Sequence, residues 1–267
     1  MRFDIKGLVL RETPVRDNDR YLDILTAEMG RISVYGRGVR SYKSKNMEAT
    51  MPLCYSTFTL ERQKEDFIVL TEAEKIDAYN DPRPGLEINS LCMYVCEAVR
   101  EVALPGQEQP QILRLALNTL HALTNKLYDR DLIKAAFELR LMSEAGYMPD
   151  LSGCAGCFCE KDGGYQLDIM NGALLCLECA AKRLDMPIDD GTKLILAPLS
   201  ATAVEAMRYI IRAPLNRLFS FRLEDPAPAE LSAACEQYVL NHLERNFSTL
   251  MFYKQVGRLP KPITDKE

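Results

Sequence analysis

The chain has 267 residues, 47% of them hydrophobic, and a formal net charge of −5, which suits two packed domains or one large one. No run approaches eighteen apolar residues and the first six residues hold no apolar stretch, so neither a membrane span nor a secretory leader is expected. Nine cysteines without a leader then point to a reducing cytoplasm, where thiols bind metal or fill cores instead of forming disulfides.

The first eighty residues read as β-structure. Residues 6–12 make a first strand, and 21–26 alternate partly before a turn at Glu28-Met29-Gly30. Residues 31–36 follow with Ile32 and Val34 on one face, then 55–60 and 67–71. Five short strands with glycine turns in this span predict a small closed barrel, and the OB-fold has that strand count and size.

Charge is unevenly spread. Residues 1–50 hold ten Lys/Arg against seven Asp/Glu, a local +3 on a chain whose remainder is −8. Residues 31–45 contain Arg31, Arg37, Arg40, Lys43 and Lys45 and no acid. Glycines at 36 and 38 let a backbone approach a phosphate chain, and the cations neutralise phosphates and release counterions. Tyr35 and Tyr42 could stack on splayed bases. For Tyr35, packing at the barrel rim is an equal alternative; Tyr42 has polar neighbours. A solvated loop with scattered charge is the plain alternative for the whole segment.

Asn80-Asp81-Pro82-Arg83-Pro84-Gly85 breaks the pattern and marks a boundary. Beyond it the period is helical. Leu91, Val95, Ala98 and Val102 form one stripe, with Cys92 and Cys96 directed to the core. Pro110 opens a second helix through Leu113, Leu117 and Leu120. Asp131 is placed to cap a third, with Ile133, Ala136, Phe137 and Leu141 on one face, ending near Gly146 and Pro149.

Next come two C-x-x-C pairs, Cys154/Cys157 and Cys176/Cys179, with eighteen residues between them. Two such pairs can put four sulfurs at the corners of a tetrahedron, the geometry Zn²⁺ accepts. Turn signals at Asp162-Gly163-Gly164 and Asn171-Gly172 make the insert a β-hairpin module, a zinc-ribbon-like knuckle. Four thiolates close the metal's shell, so a structural Zn²⁺ is expected. Cys159 is a spare fifth thiol that could replace Cys157. Residues 200–211 and 228–246 read as two further helices, and the tail from residue 255 as loose.

The chain lacks a phosphate-binding G-x-x-x-x-G-K-[ST], a G-x-S-x-G, an H-E-x-x-H and the His-x-Glu of zinc deaminases. Asp17, Asp19 and Asp23 read as surface charge at strand ends. The expectation is therefore a protein that is not an enzyme.

Three patterns together carry a family likeness. They are the opening Gly7-Leu8-Val9-Leu10, residues 19–25, Gly30-Arg31-Ile32 and Gly36-Arg37-Gly38-Val39-Arg40; residues 139–146 running into the two cysteine pairs; and residues 240–247 with Leu250. In their order and spacing the chain resembles the RecO family of bacterial DNA repair and recombination proteins, in its zinc-bearing branch. The resemblance implies an α+β protein: an N-terminal five-stranded OB-fold barrel over residues 1–80, an all-helical domain over 81–255 with a four-cysteine zinc module inserted at 150–182, and a loose tail at 256–267. It implies a recombination mediator that binds single- and double-stranded DNA, anneals complementary strands and helps load RecA where single-strand-binding protein covers DNA. RecR and the acidic C-terminal tail of single-strand-binding protein are the implied partners, RecA an indirect one, and a cytoplasmic, nucleoid-associated site the implied location. The DNA-contact positions it carries over are Arg31, Arg37, Arg40, Lys43 and Lys45, joined by Tyr42 from the residue reading above. Three other readings stand beside it: a zinc-stapled protein-interaction adaptor without DNA binding, a zinc hydrolase, and a cysteine redox switch.

Overall fold

A computed structural model describes residues 1–64, 67–158, 163–185 and 194–258. Five strands open the chain: β1 (Arg2–Pro14), β2 (Arg20–Thr26), β3 (Gly30–Gly36), β4 (Cys54–Arg62) and β5 (Ile68–Ala78). They close into a barrel of order β1-β2-β3-β5-β4. Four of the five junctions are antiparallel; the closing one, β3 to β5, is parallel at Tyr35 and Val69. The strands are longer than the alternation alone predicts, because cross-strand pairing stabilises ends that are polar in sequence.

Period-two alternation decides what lies inside. Val9, Leu22, Ile24, Val34, Phe58 and Leu60 are fully buried in the barrel core. Each contributes roughly 1.5–3 kcal/mol relative to exposure. Their sequence neighbours Tyr21, Asp23, Ser33 and Tyr35 consequently face outward. The β2–β3 turn is held by Thr26, whose Oγ1 donates to the Gly30 carbonyl at 2.9 Å and accepts the Met29 N–H at 3.1 Å. Gly30 sits at φ +61°, and a Cβ there would stand 2.1 Å from the Leu104 carbonyl oxygen, so only glycine fits.

The chain divides into two compact units. The first joins residues 1–113 to 246–258: α1 (Leu86–Val102) packs against β1, and α7 (Ser248–Gly257) packs against α1. Glu97 on α1 accepts both the N–H and the hydroxyl of Thr249 on α7. The predicted stripe Leu91, Val95, Ala98 and Val102 is buried, as are Cys92 and Cys96, whose thiols burial pushes up, that of Cys92 to about 12.

The second unit spans residues 114–245. It contains most of α2 (Pro110–Thr124), then α3 (Arg130–Glu144), α4 (Leu177–Asp185), α5 (Ala201–Arg212) and α6 (Ala227–His242). Asp129, not Asp131, caps α3: its carboxylate accepts the N–H groups of Asp131 and Leu132, each at 3.0 Å. Asp131 is itself one of the first-turn residues that need a cap. The expected helix over 228–246 ends at His242, and Glu244 at φ +48° separates it from α7. α7 runs to Gly257, past the point where the tail was expected to loosen; residues 259–267 lie outside the described residues. Among the described residues, no helix is long and apolar enough to cross a membrane.

A four-stranded sheet of order β6-β8-β7-β9 completes this unit, formed by β6 (Asp150–Cys154), β7 (Tyr165–Asp168), β8 (Ala173–Cys176) and β9 (Leu196–Leu199). The Asn171-Gly172 turn is present, with Gly172 at φ +61° donating to the Asp168 carbonyl at 2.9 Å. The expected turn at Asp162 and the spare thiol Cys159 lie outside the described residues.

Candidate nucleic-acid face and four-cysteine centre

The loop after β3 is pinned at both ends. Asp19 accepts the Tyr35 hydroxyl at 2.5 Å and the Gly38 N–H at 2.7 Å, and Arg40 N–H reaches the Asn18 carbonyl at 3.0 Å. Val39 inserts into the barrel core. Further on, Asn46 Oδ1 accepts the Ala73 N–H at 3.1 Å. The Tyr35 hydroxyl and the Gly38 N–H hold the Asp19 carboxyl below its usual range, and the nearby charges of Arg16 and Arg37 push the same way. Tyr35 is correspondingly raised by its bond to Asp19.

The six residues expected to meet DNA do not share one environment. Arg37, Tyr42, Lys43 and Lys45 project into solvent, Tyr42 being 96% exposed. Arg31 is half-buried, with its Nε enclosed and lacking a hydrogen-bond partner among the described residues. Arg40 is only 14% exposed at its side chain and is committed internally. It pairs with Glu12, donates to Thr50 Oγ1 at 2.9 Å, and donates to the Met47 and Thr50 carbonyls at 3.1 Å each. The sequence shows Arg40 as one cation among five; the partners that occupy it come from β1 and from the turn before β4.

An aromatic row lies on the barrel's outer side. Tyr21 and Tyr35 face one another across β2 and β3 with ring centroids 5.4 Å apart, and Phe67, just before β5, is 5.7 Å from Tyr35. Tyr21 and Phe67 belong to different strands' ends, so spacing along the chain gives no hint of the row.

In the second unit the two cysteine pairs converge. Cys154 ends β6 and Cys157 lies in the turn beyond it. Cys176 ends β8, and Cys179 falls in the first turn of α4, so the second pair joins a strand to a helix. The four Sγ atoms lie within 4.8 Å of one another, and Cys157 and Cys176 are 3.9 Å apart. Metal–sulfur bonds of about 2.3 Å in a tetrahedron require sulfur–sulfur separations of about 3.8 Å. Gly156 gives the sulfurs room: a Cβ there would meet Cys179 Sγ at 3.0 Å. Burial alone would raise the Cys154 thiol, but N–H groups of Cys176, Cys157 and Gly156 outweigh it and bring it to about 6. Cys179, surrounded first by Cys176 and Cys154, is pushed to about 12. Four thiolates cannot share this volume without a cation, and the donor set fits a metal ion that four sulfurs enclose.

A five-stranded barrel with exposed cations on the loop after β3, and a second unit in which four cysteines converge to a set that could hold a metal ion, define the class of protein to compare. Comparison with known proteins gives the family. The family model described as recombination protein O N terminal matches residues 1–79, and that described as recombination protein O C terminal matches residues 83–251. The chain belongs to the recombination protein O family, the recombination mediators of DNA repair. It is 29% identical to the DNA repair protein RecO of Acetivibrio thermocellus over 95% of this chain and 96% of that protein. Identity to the RecO of Desulforudis audaxviator is also 29%, over 96% and 98% of the two chains. The RecO of Symbiobacterium thermophilum is 26% identical over 94% and 96%.

Proposed function

We propose that the barrel binds DNA through Arg37, Lys43, Lys45 and Tyr42, and that this binding lets the protein anneal complementary strands and assist RecA loading. The observation that carries the reading is a loop, pinned by Asp19, on which Arg37, Lys43, Lys45 and Tyr42 are all exposed. Neutralising two polyanions lets them approach while their bases stay free to pair, so no catalytic group is required. The five-stranded barrel has the strand count expected of an OB-fold. A DNA-binding barrel over 1–80 followed by a helical domain that carries the cysteine module belongs to the same reading, with shifted bounds: α1 and α7 group with the barrel, β9 extends the module's sheet beyond the expected 150–182 so the second unit is not all-helical, and α7 runs past residue 256.

The four cysteines in this reading hold Zn²⁺. A zinc ion enclosed by four sulfurs supplies a cross-link between β6, β8 and α4 and leaves no position for water. RecR and the acidic tail of single-strand-binding protein are proposed partners. Action at the nucleoid, in the cytoplasm, completes the proposal.

Fluorescence anisotropy with labelled single strands at several salt concentrations tests the DNA reading. Joint substitution Arg37→Ala, Lys43→Ala and Lys45→Ala should weaken binding and lower the log–log salt slope by about 2, at about 0.7 for each lost contact. Unchanged affinity in the folded variant refutes it and leaves the protein-adaptor reading. Annealing of strands coated with single-strand-binding protein, with and without this chain, tests the mediator role.

A further inference from the structure

We infer that Tyr21, Tyr35 and Phe67 form a base-stacking row that makes the barrel a reader of unpaired bases, so that its hold on single strands exceeds charge neutralisation. The inference rests on the DNA reading above and adds the ligand's chemistry: the π-faces of splayed bases.

The geometry comes from the register. Leu22 and Val34 point into the core, so Tyr21 and Tyr35, paired across the same two strands, point out. The parallel junction at Tyr35 and Val69 brings β5 alongside and sets Phe67 next to Tyr35. The planes are tilted 58° and 36°, which opens ring faces instead of stacking them upon each other. Tyr21 is 36% exposed and Phe67 37%, a large aromatic area to leave wet on a sheet. A cross-strand pair accounts for two rings by packing alone; the third extends the row over a strand junction without burying it.

Two further features suit a nucleotide chain. Asp19 holds the Tyr35 hydroxyl, so the central ring is fixed before any ligand arrives and little is lost on binding. Arg16 and Arg37, both exposed, flank β2 and β3 in sequence and supply cations for the phosphates of a strand whose bases lie on the row. Bases inside a duplex stack on one another and offer no free faces, so the row discriminates in favour of single strands.

The test uses the full chain and labelled thymidine oligonucleotides. Tyr21→Leu with Phe67→Leu keeps the surface apolar but removes the faces. Single-strand affinity should fall about 10- to 100-fold while duplex affinity changes less than about two-fold and the salt slope stays the same. An abasic strand with the same phosphates should bind the native protein as weakly as thymidine strands bind the variant. Equal native affinity for abasic and normal strands overturns the inference, and this comparison needs no substitution, so it decides even if the variant does not fold. A folded variant with native single-strand affinity overturns it too. If the triple cation substitution weakens binding and the aromatic one does not, the stacking row fails and the DNA reading survives; if neither weakens it, the DNA reading itself is gone.

Discussion

Arg40→Met should destabilise the chain without removing its DNA binding, although Arg40 lies in the middle of the basic segment. Its guanidinium satisfies the Glu12 carboxylate, the Thr50 hydroxyl and the Met47 and Thr50 carbonyls, and Thr50 is fully buried. Charge-assisted hydrogen bonds contribute roughly 1.5–3 kcal/mol each but do not add, and Glu12, at 28% side-chain exposure, can rehydrate. The net cost should be about 2–4 kcal/mol, a large share of the roughly 5–15 kcal/mol that holds a domain together. Urea unfolding followed by circular dichroism should show a lower midpoint with an unchanged slope. Anisotropy on the folded variant should give single-strand affinity within about two-fold of native. The triple substitution of Arg37, Lys43 and Lys45 should do the reverse, moving stability by no more than about 0.5 kcal/mol. An Arg40→Met chain with the native urea midpoint, or one that stays stable but loses DNA as the triple variant does, would refute the assignment of Arg40 as an internal clamp.

Metal analysis of purified protein should find about one zinc per chain with four sulfur neighbours near 2.3 Å by X-ray absorption, and Cys157→Ser should lose both the metal and resistance to proteolysis between residues 150 and 185. Asp19→Asn should remove an acid-sensitive contribution to stability. The folded carboxyl lies below its ordinary 3.8, so the difference from native should be full above that pH and should vanish as pH falls further, in pH-resolved urea titrations. Lys134 is buried between Glu138 and Glu236 at 2.8 and 3.0 Å. Burial opposes its charge, but the two carboxylates outweigh this and raise it. Lys134→Met removes a buried cation that faces both carboxylates and should lower stability by several kcal/mol, on the order of the 3–5 kcal/mol for breaking a buried pair, in unfolding experiments. The native contribution should persist up to pH about 10.5 and fade only as pH climbs through the raised value.

The cysteine spacing was legible because a C-x-x-C pair is local: two residues of turn suffice to bring two sulfurs together, whatever the rest of the chain does. The barrel strands were legible in their cores, where Leu22/Ile24 and Ile32/Val34 alternate, and not at their ends, where Arg2–Asp4 and Lys75–Ala78 lack that alternation and are held by ladder pairing and by contacts such as Asp4 with Thr59 and Lys75 with Glu48. The cap of α3 was misplaced by two residues because both Asp129 and Asp131 suit a cap by type, and only backbone direction selects between them. The break at Glu244 was not legible: residues 240–250 keep an apolar pattern through it, while the left-handed residue turns the chain out of α6 and into α7.

Read alone, the order of residues determined the β-rich start, the helical remainder, the sulfur cluster and a concentration of positive charge after the third strand. These depend on periodicity and short spacings, which a linear chain displays directly. Which cations are available to a ligand was decided only in three dimensions, because Glu12 and Thr50 reach Arg40 from distant segments. The same holds for the aromatic row, whose three rings meet only once the barrel has closed β3 against β5.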